Sequence, residues 1–284
     1  MIQLWSRGAL VLLYHRVADL PSDPWSLAVT PRRFAEHLEV LCAMARPVPL
    51  RTAAEGRAPR RAVAVTFDDG YADNLYAAKP LLEFWGVPAT VFVTTGGLDD
   101  GRELWWDELE RVAPEERVYR DLWQRLRGLG PAERRQALDA LLEQAGLDAT
   151  PRPTHRTLTA DELAALAAGG LVEAGAHSVS HSRLADLDAD SQRAEVAGSR
   201  ARLAEILGHP PAAFSYPFGG PADYSDETVR LVREAGFRHA CVNAPGLARR
   251  SADPFRIPRV YVTDCDGGVF AERLAGWLRH GGAP

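Results

Sequence analysis

Seven short, largely apolar runs punctuate the chain: Ala9–Tyr14, Ala62–Phe67, Ala89–Thr94, Leu171–Ala176, Ala212–Tyr216, His239–Val242 and Ile257–Thr263. Their continuous apolar character predicts strands buried on both faces. Helical spacing fills the gaps between them. Thr30-Pro31 reads as a cap followed by proline at the first helical position, with Phe34, Leu38 and Leu41 continuing the pattern. Tyr71 to Trp85 is helical in spacing and stops at Gly86. Thr159–Glu162 spells a capping box. A further helix is predicted from about Asp190 to Leu207, ending at Gly208, and another from Ser225 to Ala235, followed by Gly236. Alternating strands and helices imply parallel strands with right-handed crossovers. The fold class is therefore α/β. Seven such units favour a closed or nearly closed (β/α) barrel over an open doubly wound sheet. Leu104 to Leu147 breaks the rhythm: two amphipathic helical stretches follow each other, separated by Gly128–Pro131. The expected organisation is one barrel domain over 1–284 with a helical insertion at 104–150.

Composition sharpens this picture. The 284 residues are 46% hydrophobic and 25% charged, as in a soluble globular protein. A net charge of -5 argues against a nucleic-acid binder, which needs a basic stripe. Lys79 is the only lysine, which reads as coding bias. Cys42, Cys241 and Cys265 are odd in number and far apart, so neither a disulfide framework nor a cysteine zinc site is expected, and a reducing compartment is the simple reading. The apolar run at Ala9–Tyr14 is too short for a signal-peptide core. No run approaches the ~18 apolar residues of a membrane span. A cytoplasmic location is the expectation.

Strand C-terminal ends build the sites of parallel α/β proteins. Here four such ends carry chemistry: His15 after the first run, Asp68 and Asp69 in "TFDDG", His177 and His181 in "HSVSH", and the turn "YPFGG" at Tyr216–Gly220. Two neutral imidazoles with one carboxylate suit a divalent metal that keeps positions open for water. Beside such a cation one aspartate can be ionised as a ligand while its neighbour works as a base. Taken singly, each feature has a blander reading. "DDG" is usually a solvated turn, a lone H-x-x-x-H is usually a surface or core pair, and a strand-end histidine is usually structural. Their coincidence at successive ends of one barrel pattern outweighs those readings. His37, His155, His209, His239 and His280 have no matching partners and read as structural. Trp105, Trp106 and Asp107 read first as the packing start of the insertion and second as a sugar-stacking rim.

With these residues in view, the chain resembles the polysaccharide deacetylases (carbohydrate esterase family 4), which include rhizobial chitooligosaccharide deacetylase. "TFDDG" resembles that family's first motif and "HSVSH" its second, with "FSYPFG" following in order. The likeness runs from "LLYHRV" to "RIPRVYV", apart from the insertion. It implies a distorted (β/α) barrel holding one divalent metal, zinc first, with nickel or cobalt also suitable. It further implies that Asp69, His177 and His181 bind the metal and that Asp68 is the general base. The Phe218 N–H would form the oxyanion hole, in the same turn as Tyr216 and Pro217. The family normally has a base-orienting arginine where this chain has Ser215, so Arg256 or Arg259 must supply that function if anything does. The family's late acid histidine has no convincing counterpart, Leu278 and His280 being wrongly spaced at what reads as a frayed end. His15 instead fits the branch that includes the biofilm poly-N-acetylglucosamine deacetylases, whose acid histidine precedes the aspartate pair.

The implied activity is metal-assisted hydrolysis of an N-acetyl group on an amino sugar, whether glycan, lipid-linked or small glycoside. Three alternatives stay open at this point. One is hydrolysis of another C–N bond, such as a formamide or cyclic amide, at the same site. Another is non-haem iron oxygenase chemistry, which two histidines and a carboxylate also suit. The last is a catalytically impaired glycan-binding homologue, suggested by Ser215.

Overall fold

All seven runs become parallel strands of one curled sheet in a computed structural model, which describes residues 8–99 and 101–281. Ten strands are present in all: β1 Leu10–Tyr14, β2 Arg16–Val17, β3 Ala28–Val29, β4 Arg46–Pro47, β5 Ala62–Phe67, β6 Ala89–Val93, β7 Val172–Ala176, β8 Ala213–Ser215, β9 His239–Cys241 and β10 Val260–Tyr261. The main sheet runs β10-β1-β5-β6-β7-β8-β9, with β4 paired to the start of β5. The segment leading into β10 bends the two edges together. The Ile257 N–H donates to Ala240 O and the Val242 N–H to Ile257 O, before β10 pairs with β1. One apolar run thus serves both edges, and the result is a distorted (β/α) barrel.

Side-chain size decides which face looks inward. In β5, Ala62 and Ala64 join a small interior cluster with Ala9, Val11, Phe92, Cys241 and Ile257. Val63, Val65 and Phe67 face outward and pack, with Leu10, Leu12 and Tyr14, against helix residues such as Phe34, Leu38, Leu163 and Leu203. The interior is narrow, so most of its positions take small residues, alanine and glycine leaving room for Phe92 and Ile257. A Cβ on Gly175 would meet the Phe92 ring at 2.5 Å. Full burial of each outward Val, Leu or Phe supplies about 1.5–3 kcal/mol, which is why the larger residues sit on the roomier helix-facing side.

The helices follow the expected punctuation with local differences. Pro31–Met44 forms, but Thr30 gives it no side-chain cap. Thr159 and Glu162 complete a capping box on Ala160–Ala167. Ala189–Leu207 ends at Gly208, whose φ of 75° is left-handed. The pattern over Tyr71–Trp85 begins later than expected, as a π-helical turn at Asn74–Ala78 that continues as Lys79–Trp85. The C-terminal segment is not frayed. Gly267–His280 is a helix that buries Phe270, Leu274 and Leu278, packed against Pro31–Met44.

The insertion between β6 and the helix Ala160–Ala167 holds three helices rather than two: Trp105–Val112, Glu116–Arg127 and Pro131–Gln144. Pro114 supplies the additional break, since proline cannot continue the helical hydrogen-bond ladder. These helices share an apolar cluster of their own, including Trp105, Trp106, Leu109, Trp123 and Leu138, with Tyr71 at the seam to the barrel. Among the described residues no helix is long and apolar enough to cross a membrane.

Candidate active site

The inward register continues past the strand ends. Small interior residues lead to Leu13 and His15 on one strand, to Thr66 and Asp68 on its neighbour, and to Gly175 and His177 on a third. Leu13 and Thr66 are register partners, so His15 and Asp68 emerge side by side. On the closing segment Ile257 leads to Arg259 and Tyr261. The period-two alternation of a strand therefore delivers these side chains to one space. That space is a cavity of about 260 Å³ at the C-terminal end of the barrel, walled by His15, Asp68, His177, His181, Phe218 and Asn243, with Trp25, Trp106, Trp123 and Tyr261 around them.

The adjacent aspartates have opposite environments. Asp68 is 4% exposed and takes three donors. Arg259 Nη1 donates to its Oδ1 and Nη2 to its Oδ2, each at 2.7 Å. Ser215 Oγ donates to Oδ2 at 3.2 Å while accepting from Arg259 Nη2 at 2.9 Å. Burial opposes ionisation, but the Arg259 guanidinium and then His177 outweigh it and hold the Asp68 carboxyl well below the usual carboxylate range. Asp69 has a left-handed φ of 76° and turns the other way. Its Oδ1 is buried without a hydrogen-bond donor. It lies 3.5 Å from His177 Nε2 and 3.4 Å from His181 Nε2. Burial pushes the Asp69 carboxyl up, with His15 and His177 pulling against it.

His177 presents nitrogen, not a proton, to that oxygen. His177 Nδ1 lies 2.8 Å from Ser215 O, an acceptor only, so Nδ1 carries the proton and Nε2 is a bare lone pair. Burial lowers the His177 imidazole's pKa. His181 is pushed down to about 3, by burial first and Arg134 second. Both rings are thus neutral at pH 7. Ligand atoms of Asp69, His177 and His181 all lie within 4.8 Å of one another, and all three residues are buried. A buried carboxylate oxygen, the bare Nε2 of His177 and the Nε2 of His181 converge here, and a divalent cation fits that donor set. The His181 ring is held edge-on by Trp106 and Phe218, at 4.6 and 4.7 Å between ring centres.

Several expected residues land elsewhere. Tyr216 is turned outward by the strand period. Its hydroxyl donates to Phe255 O and its ring stacks on Tyr224 at 4.5 Å, so only its backbone belongs to the site. Pro217 is buried beneath the turn and does not wall the cavity. Phe218 has a left-handed φ of 62° and does wall it. The turn's backbone bonds, Tyr216 N–H to Cys241 O and Gly219 N–H to Pro217 O, leave the Phe218 amide out. Arg256 pairs with Asp226 and Asp253 at the surface, leaving Asp68 to Arg259. His15 is half-buried with its Nδ1 unpartnered, its ring 5.4 Å from that of Tyr261. Burial pushes its pKa down. Trp106 reaches the cavity, whereas Trp105 packs inside the insertion against Trp123. The sequence reading missed Trp25, Trp123, Asn243 and Tyr261. Trp25 and Trp123 carry no motif, but Tyr261 was within reach, two positions along the inward period from Arg259.

The sequence profile of the polysaccharide deacetylase family matches residues 55–118 and 129–240, more than half of the chain. The chain therefore belongs to the polysaccharide deacetylase family and is a carbohydrate deacetylase. It is 22% identical over 259 residues to YxkH of Bacillus subtilis (strain 168), a protein named for the same activity, covering 89% of this chain and 71% of that one. Its fold is similar to that of IcaB from Ammonifex degensii (TM-score 0.66, 23% identity, 97% and 98% of the two chains). It is likewise similar to the Streptococcus pyogenes deacetylase PplD, solved in complex with acetate (TM-score 0.66, 17% identity, 93% and 97%).

Proposed function

We propose that this protein is a metal-dependent hydrolase that removes the N-acetyl group from an amino sugar, carried on a glycan, a lipid or a small glycoside. The observation that carries the reading is the Asp69 Oδ1, buried without a hydrogen-bond donor where the Nε2 atoms of His177 and His181 converge, beside the arginine-held Asp68. Asp69, His177 and His181 would hold one divalent ion, zinc by donor set, with nickel or cobalt also suited. When bound, such an ion polarises an acyl oxygen and makes water more acidic.

The remaining work falls to the chain's own groups. Asp68 stays ionised at working pH because Arg259 holds it so. Its two oxygens take three donors, which leaves Oδ1 a lone pair for the proton of the attacking water. The Phe218 N–H is free to donate to the acetyl oxygen as it turns negative. In its protonated form His15 passes a proton to the sugar nitrogen as the C–N bond breaks, because an amine anion leaves poorly, and the proton that Asp68 took from water restores it. Acetate and a free amino sugar result. Arg259 would do for Asp68 what an arginine at the Ser215 position would do, and Ser215 completes the same network, which supports an active enzyme over an impaired homologue. Residues 1–284 are read as one catalytic unit with the insertion at 104–150.

Metal content per chain, measured by plasma mass spectrometry, tests this. About one zinc-like ion is expected in the wild type and none in the His177→Ala/His181→Ala double mutant. Acetate release from N-acetylated sugars should be present in the first and absent in the second. A wild type that stays metal-free after zinc loading would sink the proposal.

A further inference from the structure

The loop 177–182 has no regular structure, and two of its non-glycine residues are left-handed: Ser178 at φ 63° and His181 at φ 52°. L-residues rarely hold that conformation unless their surroundings over-determine it. Here they do, and from three directions. From the β6 end, the Thr95 and Gly96 N–H groups donate to Ser178 O and Val179 O. A Cβ at Gly96 would meet Val179 O at 2.7 Å, so that approach requires glycine. From the helix Ala189–Leu207, Glu195 Oε2 accepts from the Val179 and Ser180 N–H groups, both at 2.9 Å, and Oε1 accepts from Ser180 Oγ at 2.7 Å. From the insertion, Arg134 Nη2 donates to Ser180 O at 2.9 Å and to Ser182 Oγ at 3.0 Å, the residues on either side of His181. Within the loop, the His181 N–H donates to Ser178 Oγ.

Arg134 and Glu195 are 3% and 7% exposed. Neither forms an ion pair with another side chain among the described residues, and the Arg134 guanidinium lies over the Trp105 ring at 5.2 Å. Burying a charge is costly unless its hydrogen bonds are made; the side-chain hydrogen bonds that Glu195 makes and those that Arg134 makes through Nη2 all go to this one loop, while Arg134 Nη1 is buried without a partner. Both act on the short span that carries His181. Neither touches the cavity.

We propose that Arg134 and Glu195 are positioning residues that clamp the loop 178–182 and set the approach of His177 and His181 to Asp69. The inserted helices then serve the metal centre directly, through Arg134 behind the loop and Trp106 on the face of His181. This role rests on the metal reading above. Partners that orient metal ligands typically account for 10–100-fold in metal affinity.

Zinc affinity of chelator-stripped protein, measured against a chromophoric competitor, tests the clamp alongside the thermal midpoint of the metal-free form. Arg134→Met and Glu195→Ala should each raise the zinc Kd by about 10–100-fold. Glu195→Gln should keep it within about twofold of wild type, because its amide oxygen accepts both N–H groups and its NH₂ can donate to Ser180 Oγ. Arg134→Lys should fall between, since an ammonium lacks the planar fork. If Glu195→Ala does not fold, Glu195→Asp keeps the charge on a shorter stem and should show the same loss. A purely structural role predicts a lowered midpoint with unchanged Kd in the folded variants, and that result overturns the clamp. A wild type that binds no zinc fails at the first measurement and overturns the metal reading, and this role with it.

Discussion

The two ends of the barrel are built from the same strands and could hardly differ more. At the C-terminal end, Asp69, Ser178, His181 and Phe218 are left-handed non-glycine residues, and buried nitrogen or oxygen atoms of His15, Asp69 and His181 have no partner. At the N-terminal end a larger hollow of about 460 Å³ lies among Arg51, Glu173, His209, Arg238 and His239. Size alone would make that hollow the better site. It has no cluster of ligands among the described residues, which form one such group, at the other end. The lesson is that convergent ligand atoms, rather than volume, mark where a fold has been spent on chemistry.

That contrast can be broken. The largest effect belongs to Asp68→Asn, which should keep the metal and lower kcat by about 10²–10⁴. Metal analysis together with steady-state rates checks it, and turnover surviving in the metal-loaded variant would take the base role from Asp68. Next comes Arg259→Met. It leaves Asp68 buried without its cation, and should cost about 3–5 kcal/mol of stability in denaturant titration as well as activity. Arg259→Lys should recover only part of either, since the bidentate geometry is lost.

The smallest effect tests the quiet end. Burial, and then Arg238, push His239 down to about 4 from an ordinary 6.5. The unfolded chain then binds the proton more tightly than the folded one. The stability contribution is fully present above pH 6.5 and is lost as pH falls toward about 4. Over that window His239→Gln should flatten the stability curve by at most about 3 kcal/mol relative to wild type, with kcat unchanged at pH 7. Chemical denaturation at several pH values reads the difference between the two curves. A large drop in kcat would erase the functional distinction between the ends.

Much of this was legible in the sequence. Seven of the eight strands of the main sheet announced themselves as apolar runs, Arg46–Pro47 being the exception, and the aspartate and histidine pairs stood at strand ends where a parallel fold builds its sites. The orientation of individual side chains was harder, because strands buried on both faces hide their alternation. It survives in size. "AVAVTF" alternates small inward with large outward residues, and reading that period would have turned Tyr216 outward and Tyr261 inward. Arg259 could be named as a candidate because, like Arg256, it stands near the last strand, but choosing between the two needed the strand period. The aromatic wall from Trp25 and Trp123, and the grip of Arg134 and Glu195 on the histidine loop, come from packing between distant segments. No local pattern encodes them.

The pairing of Asp68 with Arg259 also has a consequence in time. The partners are 191 residues apart. At ribosomal speeds of about 5–20 residues per second, roughly 10–40 s separate their synthesis. Throughout that interval the nascent chain carries two neighbouring carboxylates without the cation that one of them is built around. The barrel's closing segment and the site's counter-charge arrive together. A chain stopped short of Arg259 would therefore lack the catalytic centre and the seal of its fold at once, leaving no half-made hydrolase to act before the protein is finished.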